Sequence, residues 1–130
     1  MSPEQRAYID VYLMLVDLHG GDKVYDYIPP AETKYPFIRI GEQFGATNRM
    51  HKDALHKNTD ITIHFWHNNM RQRGTFSRLM SDTEAALIEH FGVDGERINT
   101  QILEDHSTGG PLLHGVLEVN IKNLRSGLNA

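Results

Sequence analysis

The chain has no cysteine among its 130 residues. That excludes disulfide scaffolds, thiolate zinc sites and thiol nucleophiles together, and it fits a reducing compartment. An excess of positive charge is also missing: 13 Lys and Arg stand against 17 Asp and Glu, a net charge of −4. A protein held on nucleic acid by counterion release is therefore not expected, and no specific nucleic-acid partner is assigned. Long apolar runs are absent as well. The longest, 11–16, has six residues, where a bilayer span needs about 20. Nor do the first residues place a basic start ahead of an apolar stretch, so no membrane partner and no secretory leader is expected. The glycine-rich nucleotide fingerprints, the phosphate-loop Lys-Ser/Thr and the Gly-x-Ser-x-Gly elbow do not occur in the sequence. No cofactor is assigned on that ground.

What is present has the bulk for one domain, 1–130. Charge is spread unevenly, with two basic and six acidic residues in 1–32, eight and three in 33–80, and three and eight in 81–130, or −4, +5 and −5. Opposite patches on one chain suit head-to-tail contact with a copy of itself. Ser2-Pro3-Glu4-Gln5 reads as a capped helix start, and Tyr8, Val11, Tyr12, Leu15 and Leu18 recur at helical spacing up to Gly20-Gly21, which predicts a helix over 3–19. Residues 24–28 and 35–40 read as two short strands around a proline turn. The stretch 41–58, polar and without a sustained period, reads as a long mobile loop. From Asp60 to His67 the alternation is clean, with Ile61, Ile63 and Phe65 on one face and Thr62, His64 and Trp66 on the other, so a strand is predicted. A second helix is expected over 75–91, capped by Thr75 or Ser77 and stopped at Gly92. Two alternating strands follow around Ile98–Ile102 and Leu113–Ile121, joined by a turn at 105–111, and 123–130 reads as a frayed tail. The fold class expected is two-layer α+β: a mixed, mostly antiparallel sheet, two helices packed on one face, and a long loop between strands.

Eight histidines require a metal site to be weighed. His64 and His67 are separated by an odd number on a strand and point to opposite faces, so they do not chelate one ion. His51 and His56 lie in the loop without an ordered carboxylate pattern. His19 and His90 stand at helix carboxyl ends, where an imidazolium suits the dipole. No metal site and no catalytic residue is assigned; Glu104-Asp105-His106 reads as a solvated turn. Arg71, Arg73 and Arg78 gather at the amino end of the second helix, the wrong end for the macrodipole, which points to an acidic partner. Trp66, on the face opposite the strand's apolar side, is a candidate for intermolecular contact.

Taken in order, the starting helix into Lys23-Val24-Tyr25, then Ile28-Pro29-Pro30, Tyr35-Pro36-Phe37-Ile38-Arg39-Ile40-Gly41-Glu42, a hydrophilic insertion, Ile61-Thr62-Ile63-His64-Phe65-Trp66 leading to the second helix, and the final Gly115-Val116-Leu117-Glu118-Val119-Asn120-Ile121 resemble the tail-completion or tail-terminator family of long-tailed bacteriophages. The resemblance covers about residues 5–122. It implies a structural virion protein, assembled in the bacterial cytoplasm, that forms a six-membered ring at the head-proximal end of the tail tube. There it would stop tube polymerisation and join the tail to the head. The implied partners are other copies of itself, the tube protein and a head-tail connector or neck protein, with no cofactor and no catalysis. Arg49, Lys52 and Lys57 in 41–58 are the first interface residues expected, with Arg71, Arg73 and Trp66 beside them. Two alternatives stay open: another neck or head-completion protein of the same virion, and a small enzyme with a His-carboxylate site.

Overall fold

Helix α1 (Pro3–His19) has the bounds the spacing predicts, and it ends where Gly20 takes φ 99° and donates its N–H to the Val16 carbonyl. The computed structural model describes residues 3–47 and 56–124. The face α1 buries is turned from the one expected. Ala7, Val11, Met14 and Leu15 are enclosed, Tyr8 and Tyr12 lie at the border, and Leu18 is exposed. The tyrosines keep hydroxyls that need a polar partner. Tyr8 finds one in Asp26, donating to its Oδ2 at 2.8 Å.

Strand β1 (Val24–Tyr25) is shorter than the predicted 24–28, because the chain bends at Asp26 and Tyr27, ahead of Pro29-Pro30. It pairs in parallel with β2 (Phe37–Thr47), Val24 opposite Ile38. Strands β3 (His56–His67), β4 (Ile98–Asp105) and β5 (Leu112–Leu124) complete one sheet in the order β1-β2-β3-β5-β4, in which every other pairing is antiparallel.

The long-loop expectation for 41–58 is corrected here. Residues 41–47 continue β2 and 56–58 open β3, so the two strands form the arms of an extended hairpin; 48–55 lie outside the described residues. Two physical reasons hid the arms. A bulge between Ile40 and Gln43 breaks the period-2 pattern, and the arms beyond it are joined by the backbone ladder between β2 and β3, which sequence spacing alone does not show. The frayed tail shortens for a similar reason: Asn123 and Leu124 belong to β5, opposite Lys57 and His56, and 125–130 lie outside the described residues.

Helix α2 (Arg73–Phe91) starts two residues earlier than expected, on a one-turn 3-10 helix, Met70–Gln72, whose Arg71 N–H is accepted by the Asn69 side chain. Neither Thr75 nor Ser77 is its N-cap, because Gln72 holds that position without a side-chain bond. Its carboxyl end closes as expected, with Gly92 at φ 64° and its N–H on the Ile88 carbonyl. Phe76, Met80, Thr83 and Leu87 face inward.

Both helices lie on the face of the sheet made by Ile38, Ile40, Ile61, Ile63, Phe65, Leu113, Leu117, Val119 and Ile121, and one core joins them. Gly115 stands opposite Phe65 in β5; a Cβ there would run into Met80, and Phe76 lies 3.2 Å away. The missing side chain thus seats α2. Between the helices the Thr83 hydroxyl donates to the Leu79 carbonyl and accepts from His19 Nε2, 2.8 Å away. The imidazolium expected for His19 is corrected: burial pushes its pKa down and favours the neutral ring. Among the described residues no helix is long and apolar enough to cross a membrane.

Candidate functional site

Because side chains alternate along a strand, the core set fixes what the sheet's second face carries. The register lines up two rows across it. Phe37, Trp66, His114 and Leu103 are successive neighbours on β2, β3, β5 and β4, and Tyr25, Arg39, His64, Val116 and Gln101 form the next row from β1 to β4. Beyond them Thr62 pairs with Glu118, and Asp60 accepts a 2.6 Å bond from the Asn120 side chain. The face grades from aromatic at one end to polar at the other.

At the junction of the rows, four side chains are joined. His64 Nε2 lies 2.9 Å from Glu42 Oε1, and His64 Nδ1 lies 2.8 Å from His114 Nε2. The two imidazoles are 25° from coplanar with centroids 5.0 Å apart, so they meet edge to edge along the N···N line. His114 in turn lies flat on Trp66, with centroids 3.8 Å apart and an 8° interplanar angle.

The sequence builds this locally. The bulge sets Gly41 and Glu42 together opposite Thr62, and Gly41 is required beside the ring, since a Cβ there would stand 2.5 Å from His64 Cδ2 and 2.6 Å from Nε2. His64 is the enclosed member, its side chain 14% exposed against 74% for Glu42.

The electrostatics follow from the geometry. The hydrogen bond from His64 holds the Glu42 carboxyl below its ordinary range. Burial first, and then the neighbouring His64, push His114 down. A Glu42 carboxylate requires the proton on His64 Nε2, which leaves Nδ1 as acceptor and makes His114 Nε2 the donor. Asp105, at the end of β4, is held low by bonds from Ser107. The Arg39 Nε, one row from Trp66, is buried without an acceptor among the described residues.

The site residues read from the sequence scatter over this frame. Trp66 is part of the cluster, half-buried against His114. Arg71 and Arg73 stand exposed at the start of the helical layer, with Arg78 exposed one turn on. Trp66 faces away from that layer, so the structure does not gather these residues into one patch. Lys57 occupies a β3 position opposite Thr47 and Asn123; Arg49 and Lys52 lie outside the described residues. His67 is buried on the core side with Nε2 2.7 Å from Gln72 Oε1, the face opposite His64, as the odd spacing requires. Among the described residues no group of three or more His, Cys, Asp or Glu is placed to hold a metal ion.

Sequence reasoning missed Glu42 and His114. The alternation of β5 does put His114 off the core face, but its meeting with His64 depends on pairing strands 50 residues apart. Glu42 was masked by the bulge.

The architecture is that of a two-layer α+β protein in which, among the described residues, one face of the sheet carries no helix. In comparisons with known proteins, no protein-family model and no curated protein matches the sequence.

Proposed function

We propose that this chain is a ring-forming structural protein of a long-tailed bacteriophage, a tail terminator that caps the tube at its head-proximal end and joins tail to head. The observation that carries the reading is the one-sided sheet. The helices cover one face only, and the other is a cross-braced surface of aromatic and polar side chains, continued by the β2–β3 hairpin. Such a surface suits contact with neighbouring subunits better than turnover of a small substrate. Closing a ring needs two different complementary patches per subunit. The exposed arginines at the start of α2 and the acidic residues of the last third of the chain supply charge of both signs. The sequence resemblance supplies the tube and neck as partners.

Electron microscopy of particles assembled without the protein tests this. Overlong tails are expected. Full heads beside free tails of normal length would reassign the chain to joining alone, as a neck protein, and normal particles would end the proposal.

The Glu42–His64 pair favours one rival, a His-carboxylate enzyme. Under the structural reading, Glu42→Gln leaves particle assembly unchanged at neutral pH. Under the rival, it abolishes an activity while assembly is unaffected by removing the whole protein.

A further inference from the structure

Two imidazoles bonded nitrogen to nitrogen, one anchored to a carboxylate and the other stacked on an indole, form a site that counts protons. We propose that Glu42, His64 and His114 act as a proton-gated clasp across β2, β3 and β5, closed while the two rings share at most one extra proton and opened when both become imidazolium.

The argument is one of occupancy. In the neutral pair His64 Nε2–H donates to Glu42 and His114 Nε2–H donates to His64 Nδ1. A first extra proton goes to His114 Nδ1, the position free of the chain, and both bonds survive. The resulting cation lies on the face of Trp66, where the ring quadrupole favours it. A second proton has only His64 Nδ1 to occupy, and that would set two N–H groups against each other at 2.8 Å. The bond must break. On the β2 side the His64 ring lies in the space that a Cβ at Gly41 would fill.

The surrounding charges are few. From β2 come Glu42 and Arg39; from β4 and the turn beyond it come Asp105 and His106; Glu118 of β5 stands one row from His64 and two from His114. The helices are on the other side of the sheet. Lone pairs that face one another along a line suit a shared proton, whereas a metal ion needs them to converge on a point. Opening the clasp parts the His64 and His114 rings on the free face and unstacks His114 from Trp66, so the surface offered to a neighbour differs between neutral and acid conditions.

Trp66 is the chain's single tryptophan, so its emission reports on the clasp without labelling. The experiment follows the His64 and His114 ring resonances by NMR, and Trp66 fluorescence, on the full chain from pH 8 to pH 4. Two steps are expected, separated by about ten-fold or more in proton activity, with the Trp66 emission changing at the lower one. In His64→Gln, whose side-chain oxygen can still accept from His114, only the single His114 step remains and the lower step is lost. In His114→Phe, which keeps a ring on Trp66, the emission does not respond over this range. A lower step that persists in His64→Gln, or Trp66 emission that ignores the lower step in the wild type, would overturn the clasp. Should a variant not fold, the wild-type titration decides alone: two rings titrating independently, with midpoints closer than that separation, refute it.

Discussion

Single residues in this protein act mainly through the space or the proton they lack. Gly41 is a case of space. Its Cα faces the His64 ring so closely that Gly41→Ala must displace the imidazole. Overpacking of this kind typically costs about 1–3 kcal/mol. A urea midpoint lowered accordingly is the expected result. His19 is a case of protons. Burial lowers its pKa in the folded protein, so on acidification the unfolded chain takes up its proton first, near pH 6.5. Below that pH the unfolded state binds more protons, and stability falls until pH reaches the folded midpoint. His114 is shifted in the same direction and adds to the slope. Urea denaturation at pH 7.5 and 5.5 is expected to show a loss of stability on acidification. In His19→Gln, which retains a donor for Thr83, the loss is smaller.

At the scale of elements, the helix ends and the bulge carry most of the definition. Gly92 closes α2 in the left-handed region at φ 64°, and a Cβ added there meets nothing within 4 Å. Gly92→Ala therefore isolates the backbone term, expected at about 1 kcal/mol, and Gly92→Asn costs less because Asn tolerates that conformation. Thermal melts of the two variants order them. The stop at Gly92 and the whole of α1 could be read from the sequence, since caps and glycines act locally. The rotation of α1 could not be read. Tyr8 and Tyr12 count as apolar in a periodic pattern, yet their hydroxyls hold them at the border while Ala7 and Met14 go inside. The hairpin arms escaped for another reason: β2 changes phase at its bulge, so no single period-2 pattern runs through 37–47.

At the scale of the whole molecule, the proposed function rests on charge and the free sheet face. If subunits close into a ring through heterologous contacts, the isolated chain is expected to be monomeric or weakly associating and to become a hexamer on the tube. Light scattering that finds a tight isologous dimer at all concentrations would count against this. Charge reversal at Arg49, Lys52 and Lys57 is expected to leave the circular dichroism unchanged and to block joining of tails to heads.

By itself the sequence determined the α+β class, the bounds of α1, the direction of the side chains from Asp60 to His67, and hence that His64 and His67 could never share a ligand. These follow from spacing within single segments. Only the tertiary structure decided that β5 lies beside β3, that the bulge brings Glu42 under His64, and that His114 completes the chain against Trp66. Those contacts join residues 22 to 50 positions apart. Their pairing is set by the register of a shared core, which no local pattern encodes.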